Sequence, residues 1–266
     1  MKKQQIFIII GVVVLVGVVV LLSRGSKTEK SASVRKSFSL KKADDQLAEG
    51  NLTDAKDMYK NALEKINDPK KFKDAQNKIE EINMQLLFSA NVGEASTEYV
   101  VRPNDALSKI ARKYGTTVGL IKRVNHLESD IIKPGQKLKV ITSTFSVAVD
   151  KSQNLLFLKR DGEVIKTYII STGKNNSTPI GTFKIVNKLS RPTWFKTGAV
   201  IPPDSPENIL GSRWLGFDIK GYGIHGTTEP EMLGQQVTLG CVRMRNDEVE
   251  ELYDIVPIGT EATVVD

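Results

Sequence analysis

The sequence predicts a multidomain chain whose largest part is a mainly β domain, preceded by a small βααβ unit, an α-helical segment and one transmembrane helix. Three observations carry this prediction. An uninterrupted apolar run lies near the N-terminus, apolar residues recur at helical steps between about residues 38 and 91, and short β-rich runs punctuated by turn residues fill the chain after Thr144.

The apolar run, Ile6 to Leu22, follows Lys2 and Lys3. It reaches the lower end of the roughly 17–25 residues that a spanning helix needs. No A-x-A-like cleavage site follows it, so residues 1–23 read as an uncleaved membrane anchor rather than a signal peptide. Residues 24–37 are a polar, basic linker. Its Arg24, Lys27, Lys30, Arg35 and Lys36 oppose Lys2 and Lys3 under the positive-inside rule, so charge alone leaves the topology open.

Residues 38–92 carry Leu40, Ala43, Leu47, then Ala55, Tyr59, Ala62, then Phe72, Ala75, Ile79, Ile82 at three- and four-residue steps. Gly50-Asn51 and Asp68-Pro69 divide the run into three helices. The stretch from Ala43 to Leu63 resembles one tetratricopeptide helix pair. One pair is too few for a self-supporting solenoid, so the segment reads either as a spacer or as a docking module for a protein partner.

Residues 98–142 read as strand, helix, helix, strand. Tyr99-Val100-Val101 and Leu138 to Ile141 are the strands, Asn104-Asp105 offers a helix cap before Leu107, and Pro134-Gly135 makes a turn. The run YVVRPNDALSKIARKYGTTVGLIKRVNHL…IIKPGQKLKVI resembles a lysin-motif (LysM) domain over its whole length. The resemblance implies binding of peptidoglycan chains at the loops around Asn104, Asp105 and Ala106 and around Ile131, Ile132 and Pro134. His126, beside Asn125, belongs to a connecting surface loop.

Residues 144–266 change character. Phe145 to Val149, Leu155 to Lys159, Thr167 to Ser171 and Thr182 to Val186 are closely spaced strands, with Asp161-Gly162 as a hairpin turn, and predict a small sandwich or barrel. Asn187 to Ser212 is a long loop bearing four prolines, and Trp194 and Phe195 within it favour an ordered lid.

The rare residues locate the chemistry. One Cys among 266 residues excludes an internal disulfide, and an unpaired thiol in an exported chain is a candidate reactive group. One Cys and two His in separate segments cannot build a tetrahedral Cys/His zinc site, although carboxylates could fill out a weaker one. A formal charge of +7 favours polyanionic surroundings, but no basic helix with interleaved aromatics argues for nucleic acid.

His225 stands in Tyr222-Gly223-Ile224-His225-Gly226-Thr227 and Cys241 in Thr238-Leu239-Gly240-Cys241-Val242-Arg243. An imidazole that takes the thiol proton makes a nucleophile at neutral pH, and uncovered backbone at Gly240 and Cys241 offers N–H donors to an oxyanion. In extended backbone Cys241 and Arg243 share a face, so Arg243 would favour the thiolate and could grip a substrate carboxylate.

Ser177 to Phe183, Gly223 to Thr227 and Thr238 to Met244 together resemble an L,D-transpeptidase catalytic domain. That resemblance implies a β-sandwich-like fold and acyl transfer on peptidoglycan stem peptides. Cys241 is then the nucleophile and His225 its base, with Gly240, Thr238, Arg243, Gly226 and Tyr222 about the oxyanion and substrate. It implies cross-links between third-position diamino acids, acylation by carbapenems, and no metal, ATP or organic cofactor. Leu239 stands where many relatives have His. An L,D-carboxypeptidase, or a degenerate membrane-to-wall scaffold, is the alternative. A wall substrate would place the C-terminal domains outside the cytoplasm, on a single-pass membrane protein.

Overall fold

The computed structural model describes residues 40–90, 93, 95–196 and 198–266. The anchor expected at residues 1–23 and the linker at 24–37 lie outside the described residues. Among the described residues, no helix is long and apolar enough to cross a membrane.

The chain divides into two compact units, with the boundary between Ile82 and Asn83. The first holds helix α1 (residues 40–48), α2 (Leu52–Leu63) and most of α3 (Pro69–Phe88). Gly50 turns the chain between α1 and α2 at φ 80°, a conformation glycine adopts without steric cost. Ala43, Ala55, Tyr59, Ala62, Ala75 and Ile79 are buried, and the Asp44 carboxylate accepts from both the Tyr59 hydroxyl and the Lys78 ammonium.

The second unit opens with the last residues of α3 and continues through strand β1 (Ser96–Val100), α4 (Leu107–Tyr114), α5 (Val118–Val124) and β2 (Lys137–Ile141). β1 and β2 pair antiparallel, Tyr99 opposite Leu138. Gly115 closes α4 in the left-handed region, as a helix stop should. The expected Asn104-Asp105 cap does not form. Ala106 is the N-cap, and the Asp105 carboxylate is taken up by the Tyr99 hydroxyl and the Arg102 N–H, both donating to it at 2.7 Å, which withdraws it from the helix. Thr117 caps α5 through Leu120 N, 2.8 Å.

The remaining strands are β3 (Phe145–Asp150), β4 (Leu155–Arg160), β5 (Glu163–Ile169), β6 (Thr172–Gly173), β7 (Gly181–Ser190), β8 (Trp194–Lys196), β9 (Ala199–Ile201), β10 (Arg213–Phe217), β11 (Gly223–His225), β12 (Gln236–Thr238), β13 (Val242–Arg243) and β14 (Glu261–Val265), with helix α6 (Asn246–Ile255) before the last. Eight of them form one mixed sheet in the order β13-β11-β10-β7-β14-β3-β4-β5. The sequence predicts a small sandwich or barrel; in the structure the two halves of the β domain are continuous through β7. Gly181–Lys184 pairs with β14 and Ile185–Ser190 with β10, and the register slips at Phe217. A ten-residue strand is long enough to serve both. The expected loop from Asn187 is accordingly strand to Ser190 and then a short β8–β9 hairpin.

One core joins these parts. Val249, Leu252 and Ile255 of α6 share a core with Leu215, Ile224 and Val242 of the sheet and with Met244 just past β13. Leu120 and Val124 of α5 and Ile141 of β2 belong to the same core, not to the smaller cluster of Tyr99, Ile110 and Leu138 beside them. The Thr117 hydroxyl meets the Asp254 carbonyl, Arg123 pairs with the Asp254 carboxylate at 2.8 Å, and a Cβ on Gly119 would lie 2.5 Å from that carboxylate. The βααβ unit is therefore docked on the β domain rather than merely strung before it.

This docking predicts a single cooperative urea transition for residues 83–266. Gly119→Val should split it, releasing the βααβ unit first. Separate unfolding of the βααβ unit and the β domain in the unsubstituted protein would disprove the shared core.

Candidate active site

A short parallel ladder assembles the site. β11 and β13 pair with Ile224 opposite Val242 and His225 opposite Arg243. Ile224 and Val242 are fully buried in the core. Because side chains alternate across a strand, Cys241, His225 and Arg243 all fall on the other face. This is the shared face that the sequence predicts for Cys241 and Arg243.

The Cys241 turn is held from three sides. The Thr238 hydroxyl accepts from Gly240 N–H at 3.1 Å and donates to the Cys241 carbonyl at 2.7 Å. Gly240 adopts φ 128°, and a Cβ there would lie 2.7 Å from the Tyr222 ring and 3.2 Å from the Ser177 carbonyl. No other residue fits. Thr238 and Tyr222 are thus scaffolding for the turn. Gly240 N–H, expected as an oxyanion donor, is already engaged by Thr238. Leu239 is 85% exposed and takes no part in the packing.

The thiol donates to the Gly221 carbonyl at 3.5 Å rather than to the imidazole. Desolvation pushes its pKa up to about 11, although the Gly223 N–H and the Arg243 charge both favour the thiolate. His225 is buried at 2% exposure, stacked on Trp214 with ring centroids 6.0 Å apart. Burial pushes its pKa down to about 4, the Gly226 hydrogen bond opposes this, and Arg243 adds to it. At neutral pH the resting pair is thiol and neutral imidazole. His225 Nδ1 lies 2.6 Å from the Gly226 carbonyl. A carbonyl only accepts, so Nδ1 carries the proton and Nε2 is the free base.

Arg243 is 6% exposed and pairs through Nη1 with Glu229 at 2.9 Å, while its buried Nε has no partner. Gly226 serves His225 through its carbonyl. Sequence reasoning missed Trp214, Glu229 and Asn246. Trp214 reaches His225 by antiparallel register between β10 and β11, and Asn246, at the start of α6, bonds Ser212 N and Thr227 N, each at 3.1 Å.

At the βααβ unit, Val101 N–H donates to the Gln136 carbonyl and Gly135 N–H to the Val101 carbonyl. These bonds set the Asn104–Ala106 and Ile131–Pro134 loops at one end of the β1–β2 pair. Asp105 is committed to its turn and Ile132 packs on the small core, whereas Asn104 and Pro134 are exposed and Ile131 is 77% exposed.

Residues 144–265 match the family model of the L,D-transpeptidase catalytic domain (YkuD), and residues 99–140 match that of the LysM domain. Neither match extends to residues 38–92, and the tetratricopeptide resemblance gains no support. YqjB of Bacillus subtilis strain 168, provisionally named an L,D-transpeptidase, is 42% identical over 126 residues, covering 45% of this chain and 70% of its own. YkuD of the same organism, named likewise, is 31% identical over 173 residues, covering 62% of this chain and 97% of its own. The solved L,D-transpeptidase from Mycobacterium smegmatis aligns at TM-score 0.40 and 24% identity, over 50% of this chain and 64% of its own.

Two outcomes follow from the geometry. Thr238→Val leaves Gly240 N–H and the Cys241 carbonyl without their shared partner and should cost about 1–3 kcal/mol in urea unfolding, with Thr238→Ser recovering most of it; equal loss in both would show that the methyl group matters instead. Alkylation of Cys241 by iodoacetamide at pH 7 should run roughly a hundred-fold below a thiol of ordinary pKa, and rise toward pH 11. A profile that levels off below pH 8 would mean a preformed thiolate.

Proposed function

The chain belongs to the L,D-transpeptidase family, and on that premise we propose that it cross-links peptidoglycan stem peptides through a thioester on Cys241. The observation that carries this reading is the shared face of Cys241, His225 and Arg243, with Nδ1 protonated and Nε2 left as base.

In the proposed reaction, Cys241 attacks the carbonyl that joins the third-position diamino acid to the terminal D-Ala. The thiol proton passes to His225 Nε2 as the C–S bond forms, because a neutral resting pair disfavours transfer beforehand. The Cys241 N–H is the backbone donor proposed for the oxygen that gains charge. Collapse breaks the C–N bond, and His225 returns its proton to the departing D-Ala amine. The side-chain amine of a second stem's diamino acid then attacks the thioester, His225 takes one of its protons, and the thiolate leaves and is reprotonated. The broken peptide bond supplies the energy. Water in place of the amine would give an L,D-carboxypeptidase.

The LysM match supports peptidoglycan as the bound polymer. Docking through Leu120 and Val124 would hold the glycan loops in fixed relation to the thiol, which raises the local concentration of stems. We further infer that residues 1–23 anchor the protein in the cell membrane, with the catalytic domain on the extracytoplasmic side. The apolar run from Ile6 to Leu22 and the location of such a substrate support this. Whether residues 38–92 serve a protein partner is a separate proposal, resting on their helical pairing alone.

The test incubates the chain from residue 40 onward with a purified disaccharide-tetrapeptide, beside Cys241→Ala. A dimer lacking one D-Ala, absent with the variant, is expected by mass spectrometry. Loss of D-Ala without dimer would select the carboxypeptidase. No Cys241-dependent product from a folded protein would favour the scaffold.

A further inference from the structure

We propose that Asn246 is a positioning residue for the base: it fixes the Gly226–Thr227 peptide group, whose carbonyl in turn fixes the tautomer and orientation of His225. The inference rests on the function proposed for His225 and adds a residue to it.

One peptide unit joins the two side chains. Its carbonyl, from Gly226, accepts from His225 Nδ1 at 2.6 Å, and its N–H, from Thr227, donates to Asn246 Oδ1 at 3.1 Å. The described chain has no cis peptide bond, so these two groups point in opposite directions across a rigid plane. Turning the plane to lose either bond loses both. Hydrogen bonds in series also polarise one another, so an acceptor at Thr227 N–H strengthens the carbonyl as an acceptor for the imidazole.

The carboxamide is held on its other sides. Oδ1 accepts from Ser212 N at 3.1 Å, and Nδ2 donates to the Thr227 carbonyl at 2.8 Å. Gly226 N–H is tied to the Arg213 carbonyl at 3.2 Å. Two glycines make the space: a Cβ on Gly226 would fall 2.1 Å from Asn246 Oδ1, and one on Gly211 2.3 Å from it. This gives the glycine after His225 a reason that concerns neither substrate nor turn. Asn246 is itself exposed. Burial therefore does not compel it to find partners, yet its amide makes three bonds to main chain on two loops.

The charged group that acts on the ring is Arg243, which is paired with Glu229 at 2.9 Å. Asn246 is neutral, so it acts through geometry and dipole rather than charge. Its replacement by Asp keeps an acceptor for Thr227 N–H, gives up the donor, and adds a negative charge that favours imidazolium.

The test reads the His225 ring directly by nitrogen-15 NMR, without substrate, in the full chain, Asn246→Ala and Asn246→Asp. The unmodified protein and Asn246→Asp should show a single tautomer protonated at Nδ1, and Asn246→Ala a mixture. In turnover with disaccharide-tetrapeptide, Asn246→Ala should lose at least tenfold in kcat with KM within about twofold. Asn246→Asp should keep most of kcat and move the acid limb upward by half a pH unit or more. A single Nδ1 tautomer in Asn246→Ala would overturn the proposal. Should Asn246→Ala not fold, a tautomer mixture in Asn246→Asp, which keeps the acceptor for Thr227 N–H, would overturn it. Failure of the unmodified chain to make dimer would instead strike the proposed function, since the ring spectrum needs no activity.

Discussion

The two-residue parallel ladder between β11 and β13 is the contact on which the rest of the site depends. It is short, and it would not hold by its own hydrogen bonds. What secures it is the inward face: Ile224, Val242 and Met244 are fully buried against Val249, Leu252 and Ile255 of α6. Burial of each such side chain contributes about 1.5–3 kcal/mol. The hydrophobic effect thus sets the register, and a register fixed on one face fixes the other. A slip of one residue would send Cys241 and His225 into the core and Ile224 and Val242 to the face of the site.

The electrostatics follow from that placement. The same packing that seats His225 removes it from water and leaves it a weak base, and the same enclosure leaves Cys241 a weak acid. Arg243 lies between these tendencies, favouring the thiolate while disfavouring the imidazolium. No resting ion pair is then needed. In the proposed reaction the proton moves in concert with attack, as the negative charge passes to a substrate oxygen. A thiol that stays protonated until a carbonyl is present is also protected from oxidation, because the thiolate is the form that oxidises.

How much of this the sequence discloses depends on range. Cys241 and His225 stand out because the chain has one Cys and two His, and the glycines beside them mark crowded backbone. The strand at Phe145–Asp150, the Asp161-Gly162 hairpin turn and the helical runs of residues 40–88 are local patterns, and local patterns are legible. Three features were not. β7 serving two half-sheets, Trp214 stacking on His225, and α5 joining the large core all depend on pairings between distant segments, whose register no local period records. Asp105 shows the reverse case. Its local cap signal was sound in kind, but the Tyr99 hydroxyl across the turn competed for the same carboxylate.

Asn246 was hidden for a related reason. In sequence it reads as a polar residue opening an amphipathic helix, where Asn is common and its side chain ordinarily caps its own helix. Here the side chain bonds two other loops instead. That choice links the helix supplying the core for the ladder to the peptide that orients the base. The hydrophobic face of α6 and the polar residue at its start are therefore parts of one arrangement: the first sets where Cys241 and His225 lie, and the second sets which nitrogen of His225 is free to act.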